Sequence, residues 1–274
     1  MPGTEQNSIN GERNEPPAAR PDGGFAGEIQ DSIEMLFERF VATDGMAVDY
    51  KALHNSAEFR DYELEVRKLA DFDPTELELR EERLALWINL YNMTVLQKVG
   101  TLDAAASVKD VKGFFSRNAC SLGGMDYSLD DIEHGILRDN AREPGRPWRK
   151  WRSWDARRHS AVYPLEPRVC FALTRASSSG PALRFYDVAG IEGQLYQAAK
   201  GFILNGGVTI EIERNTISMS QIFRDYSADF GGGQGVLKFI ANHMEPEDAA
   251  LIRSRAGAMK VKYHTLAREL NSAS

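Results

Sequence analysis

Apolar residues recur at helical spacing from residue 29 onward. Ile29, Ile33, Leu36, Phe37, Phe40 and Val41 predict a first helix starting near Glu28. Residues 46–50 read as a short extended run, and residues 51–70 as a helix interrupted near 55–57. Asp73-Pro74-Thr75-Glu76 offers a capping Asp, a first-turn proline and an acidic third position, so a long helix is predicted from there to residue 99. From Leu84 the helix is apolar on nearly every side (Leu86, Trp87, Ile88, Leu90, Tyr91, Met93, Val95, Leu96), which places it in the middle of a core. Asn89 and Asn92 interrupt it three residues apart and, once buried, need partners.

Gly123-Gly124 between short runs predicts a hairpin over 119–127. Val208, Ile210 and Ile212 alternate with polar residues, and Ile217 and Met219 resume the alternation after Arg214-Asn215, giving a second hairpin. Residues 169–174 read as a buried strand followed by a loop at 175–181, and 191–204 as a helix. Further helices are expected over 220–226, 235–243 and 246–255, with a last strand at 260–263. The first 27 residues hold four prolines and almost nothing apolar, so a disordered tail is expected over 1–27 and a single globular domain over 28–274. The fold class expected is α+β, a helix-dominated domain with a small antiparallel sheet built from hairpins.

The run 128–138, Ser-Leu-Asp-Asp-Ile-Glu-His-Gly-Ile-Leu-Arg, holds the most informative side chain. Ser128 with Asp131 is a capping-box-like start. At 100° per residue, Leu129, Ile132, Ile136 and Leu137 form one apolar stripe with Glu133 in its middle, while Asp130, Asp131, His134 and Arg138 take the other side. A carboxylate facing a core must be paired or protonated.

Charge and cysteine content narrow the function classes. The net charge of −7 argues against general affinity for nucleic acid. The charge is uneven: residues 141–160 carry seven cations against Glu143 and Asp155, a local +5 that leaves −12 for the remainder. Within this connection, Trp148, Arg149, Lys150, Trp151, Arg152 and Trp154 form a candidate interaction patch; on a short helix the three tryptophans would share one side. Cys120 and Cys170 form neither a disulfide framework nor a zinc pair, and the five histidines lack ligand spacing, so no metal and no cofactor is expected. No run reaches the length of a membrane span and no leader is evident, which makes a cytosolic setting the default.

Several runs resemble the domain-of-unknown-function 547 family: Leu86-Trp87-Ile88-Asn89-Leu90-Tyr91-Asn92, Phe114-Phe115-Ser116, the 128–138 run, 166–173 and 222–231. The likeness spans residues 83–243. It implies no settled activity, although relatives sit at times beside glutaredoxin or DEP domains. The family's usual run is Asp-Pro-Arg-x-His-Phe-Ala-Leu, then Cys-Gly, then Ser-Cys-Pro. This chain has Glu166 at the Asp position, Cys170 at the His position, Arg175-Ala176 for Cys-Gly and Ser179-Gly180-Pro181 for Ser-Cys-Pro, while Arg168 and Pro181 are kept. If relatives use that His and those Cys residues, this chain cannot do the same chemistry with the same atoms.

Each candidate has two readings. Glu133 is a structural carboxylate, with Arg168 as the partner the resemblance favours, or a general acid or base. His134 is a boundary residue bonded to Asp130, or a proton carrier at a cleft. Asn89 and Asn92 are core fasteners or, with Arg138 and Arg168, line a ligand pocket. The basic connection is a core cover or a gripping surface. The expectation is a non-catalytic or degenerate interaction or regulatory module with a protein partner, a small-molecule ligand remaining open. The alternative is a hydrolase or acyl-transfer enzyme built on Glu133 and His134.

Overall fold

A computed structural model describes residues 24–102 and 107–273. Helix α1 (Gly24–Phe40) buries Ile29, Ile33, Leu36, Phe37 and Phe40 on one side, as its spacing predicts. The helix starts before residue 28, so residues 24–27 of the expected tail are helical; residues 1–23 lie outside the described residues. Between residues 46 and 50 only Val48 makes bridges, to Val41 and Ser272, and no strand forms. Ser56 ends α2 (Tyr50–Asn55), and its side chain accepts from the Phe59 amide to start α3 (Ala57–Val66). That is the interruption the sequence places at 55–57.

The long central helix differs from expectation at its start. Asp73 and Pro74 open only a short 3-10 turn, Pro74–Glu76, and α4 runs from Arg80 to Val99. Its true start is marked by Glu82, whose side chain accepts from the Leu79 amide at 3.0 Å. Every residue of α4 from Leu84 to Leu96 is buried. The first hairpin, β1 (Asn118–Leu122) with β2 (Met125–Ser128), turns on Gly123 and Gly124, both at positive φ.

Ser128 starts the next helix as its sequence indicates: Asp131 accepts from the Ser128 amide at 2.9 Å and from its hydroxyl at 2.6 Å. The winding then departs from 100° per residue. Asp131–Leu137 is a π-helix, closed by bonds such as Arg138 amide to Glu133 carbonyl at 3.1 Å. Residues 169–174 are not a strand. Glu166 caps a 3-10 turn, Pro167–Phe171, with proline in its first turn. The stretch is buried all round, so it carries no periodicity to separate turn from strand, whereas the cap and proline settle it.

Helix α5 (Ile191–Phe202) leads to the second hairpin, β3 (Val208–Glu211) with β4 (Thr216–Ser220), which turns through Asn215 in the left-handed region. After α6 (Gln221–Asp225), α7 (Gly233–His243) and α8 (Pro246–Arg255), strand β5 (Lys260–His264) joins β4 in parallel. The chain is thus a helix-dominated α+β protein whose second sheet is mixed, in the order β3-β4-β5. Buried side chains from Ile29 to Leu266 form one continuous apolar cluster around α4. No helix among the described residues is long and apolar enough to cross a membrane.

Candidate functional site

Glu133 is 2% exposed, and both of its oxygens are occupied. The Arg175 guanidinium donates from Nη2 to Oε1 at 2.7 Å and from Nη1 to Oε2 at 2.8 Å, the fork geometry that suits a carboxylate. The Tyr226 hydroxyl donates to Oε1 at 2.5 Å, and the Tyr91 hydroxyl stands 3.5 Å from Oε2. Arg175 in turn donates to the Tyr91 and Tyr226 oxygens at 3.2 and 2.9 Å. Burial alone would push the Glu133 carboxyl up; Arg175, with the donors around it, holds it well below the usual carboxylate range. It is therefore an ionised acceptor, bonded at both oxygens, rather than a carboxyl poised to give up a proton near neutrality.

A second buried pair lies beside the first. Arg138 forks onto Asp229 at 2.6 and 2.9 Å and stacks over the Tyr226 ring, 4.6 Å from its centroid. Its Nη1 also donates to the Arg142 carbonyl at 3.1 Å and to His134 Nδ1 at 2.7 Å. Because an arginine only donates, Nδ1 must accept, which fixes His134 as neutral with its proton on Nε2. Burial lowers the His134 pKa to about 4, against the opposing pull of Glu133, in keeping with that neutral form. Asp130, on the same helix, is pushed up to about 6 by burial, with Lys150 opposing.

Of the residues placed on the outer side of the 128–138 helix, Asp131, His134 and Arg138 are therefore inside, and Asp130 is half-buried. Segment 141–162 covers that side. Val162 donates to the Ile136 carbonyl at 2.9 Å, and Trp151 lies against Gly135, where a β-carbon would overlap the indole. Trp151 Nε1 donates to Asp131 at 3.1 Å, and the Asn140 side chain bonds the Trp151 backbone in both directions. Residues 148–154 are not a helix, and their tryptophans do not share a side. Trp151 is 6% exposed, whereas Trp148 and Trp154 are 63% and 74% exposed. Lys150 pairs with Glu143 and Asp131. Among the described residues the Arg149 side chain reaches only the carbonyls of Asp139 and Asn140, and Arg152 stands over Trp154.

Arg168 is not the partner of Glu133. The 3-10 turn directs it away, onto Glu166 at 2.7 Å and onto Glu192 at 2.6 Å near the start of α5. Asn89 donates to the Tyr186 carbonyl at 2.7 Å and to Gln30 at 2.6 Å, and accepts from the Tyr186 amide at 3.0 Å. Asn92 donates to the Ala172 carbonyl at 3.0 Å and accepts from the Thr174 amide at 2.9 Å. Both amides thus hold loop backbone against α4. Cys170 is buried, and its thiol is pushed well up by that burial.

Two cavities stand out, and neither is lined by Glu133, His134, Asn89 or Asn92. One is an open depression of about 750 Å³ bordered by Asp71, Asp73, Gly123, Met125, Ala156 and His159. The other, about 330 Å³, lies between α3, α4 and β1, with Tyr62, Thr94, Gln97 and Cys120 in its wall. Burial raises the Cys120 thiol to about 12, so it is no nucleophile at neutral pH.

Residues 74–203 match the family described as "Protein of unknown function, DUF547". This stretch of the chain belongs to that family. No curated protein and no solved structure matches the chain. The DUF547 stretch contains Glu133, His134, Arg138, Arg168, both asparagines, the Trp-rich segment and Arg175. It stops before Tyr226 and Asp229, the residues that close the two buried pairs. Arg175, Tyr91 and Tyr226 were missed as site residues from sequence. Their signal was present: Tyr91 and Tyr226 fall within runs that carry the resemblance, and Arg175 is the cation standing where the resemblance implies a cysteine.

Proposed function

We propose that this chain is a non-catalytic interaction module of the DUF547 family. The observation that carries the reading is the closure of Glu133: a carboxylate buried in protein, held ionised by the Arg175 fork and bonded at both oxygens, is not placed to exchange a proton with a substrate. Its neighbour His134 is neutral and has Nδ1 taken by Arg138. The resemblance places a His at 170 and a Cys-Gly pair at 175–176. In this chain those positions are a buried Cys, the arginine that fills the space before Glu133, and Ala176. Ala176 has φ +48°, a conformation suited to glycine. A helix signature kept intact around a filled centre supports binding rather than turnover.

The test is a screen of ester, thioester and peptide hydrolysis from about pH 5 to 9, a range spanning ordinary acid–base chemistry. The proteins compared are the wild type, His134→Gln, and the double variant Glu133→Leu/Arg175→Met, which replaces the ion pair with apolar groups of similar volume. The reading expects background rates for all three. A wild-type rate that vanishes in either folded variant would overturn it in favour of the enzyme.

A further inference from the structure

Two indoles of the 141–160 segment lie largely in solvent. Trp148 and Trp154 are 63% and 74% exposed, and Tyr163 just beyond is 76% exposed. Single exposed aromatics are ordinary, but several set among unpaired cations mark a contact surface. Arg142 and Arg149 face each other across an antiparallel bridge, which puts two guanidinium-bearing residues next to Trp148. Arg152 stands 5.3 Å over the Trp154 ring, and Arg158 bonds the Ser153 carbonyl at 3.1 Å, in the same turn. Arg142, Arg149 and Arg152 are exposed and make no ion pair among the described residues, whereas Arg158 is half-buried and its charge helps hold the Asp155 carboxyl down. The segment's other cations make ion pairs: Arg146 with Glu143, Lys150 with Asp131 and Glu143, and Arg157 with Asp155 and Asp131. Intramolecular neutralisation therefore accounts for Arg146, Lys150, Arg157 and Arg158 and leaves Arg142, Arg149 and Arg152.

We propose that Trp148, Arg149, Arg152 and Trp154 form the docking surface for a short acidic peptide segment of a partner protein, with apolar side chains set between its carboxylates. The inference rests on the interaction-module reading and names its partner chemistry. Charge decides the occupant. Segment 141–160 is +5 in a chain of −7, so a planar anionic membrane would face an acidic body as well as the basic rim. A narrow acidic peptide meets the rim alone, since screening confines attraction to about 8 Å at physiological salt. Guanidinium forks match carboxylates, and the two indoles offer flat apolar area between them.

The experiment selects a random twelve-residue displayed peptide library on the full chain, then on the double variant Arg152→Glu/Trp154→Ala. The best peptide is measured by fluorescence anisotropy at two salt concentrations. Phosphatidylserine vesicles and a single-stranded oligonucleotide serve as competing polyanions. Expected are peptides rich in Asp or Glu with interspersed apolar residues, affinity falling with salt, and a loss of about tenfold or more in the variant, or ~1.4 kcal/mol. Arg149→Glu and Trp148→Ala should each weaken binding as well. No enrichment, enrichment of neutral or basic peptides, unchanged binding by the variant, or tighter binding to vesicles or the oligonucleotide would overturn the proposal. The variants lie on the surface, and an unchanged thermal transition verifies their fold. Failure here leaves the non-catalytic reading standing, because that reading falls only to a hydrolytic rate.

Discussion

Removing one member of the Glu133–Arg175 pair leaves the other buried and unpaired. Glu133→Gln should therefore destabilise the fold by about 3–5 kcal/mol, whereas Glu133→Leu/Arg175→Met should recover much of that loss. Urea titration of the three proteins checks this, and equal losses in the single and double variants would refute it. The pair also has a definite pH signature. A carboxyl held below its ordinary value of 4.5 contributes stability that is complete above that value and is lost as pH falls through the folded one. Two neighbours act in opposite senses at milder pH. His134 takes a proton near 6.5 when unfolded but only near 4 when folded, so the native state loses stability as pH falls across that interval. Asp130 protonates near 6 in the fold and at 3.8 unfolded, so the native state gains as pH falls between those values. His134→Gln should consequently lose less stability than wild type between about pH 6.5 and 4, and Asp130→Asn should lose more. Denaturant midpoints across that range read both signs, and two variants that track wild type would disprove the assignment. At this scale the sequence made Glu133 legible, because a carboxylate inside an apolar stripe has few alternatives. It did not make Arg175 legible, because the partner is 42 residues away and is chosen by how two loops pack.

Among the elements, those with an amphipathic face or a turn signal could be read directly. Helix α1, the interruption at Ser56, and both hairpins with Gly123-Gly124 and Asn215 at their turns match their signals. Stretches buried on every side could not be read by period. Residues 169–174 took a 3-10 turn instead of a strand, and 131–137 took a π-helix, since an apolar count is blind to one extra residue per turn. The π winding and the 141–162 cover together move His134 and Arg138 inside. Gly135 is the joint between them, because only a hydrogen fits under the Trp151 ring. Gly135→Ala should cost about 1–3 kcal/mol through overpacking. In a Trp151→Ala background the same change should cost close to nothing, and a thermal double-mutant cycle measures the coupling. Additive losses would mean that the ring and the glycine do not constrain each other.

On the scale of the whole molecule, the family match and the physical unit do not coincide. The match stops at residue 203, yet Glu133 takes a hydrogen bond from Tyr226 and Arg138 its counter-ion from Asp229. On the other side, Asn89 in the middle of α4 bonds Gln30 of α1. The last residues tie back as well: Val48 bonds the Asn271 carbonyl at 2.8 Å, and Ser177 bonds the Ala267 carbonyl at 2.9 Å. A fragment cut to residues 74–203 would leave Arg138 buried without a carboxylate and would strip α4 of the apolar face of α1. Either defect alone is comparable to the few kcal/mol by which a domain is stable. The fragment should therefore show no cooperative thermal transition and no near-ultraviolet circular dichroism, while residues 24–274 should show both. Adding back residues up to 230 without α1 should restore neither, because the helix and the two distal side chains support the same buried centre from opposite ends. A sharp melt for the 74–203 fragment would mean that the matched stretch carries its own core, and that Tyr226, Asp229 and α1 are additions to it.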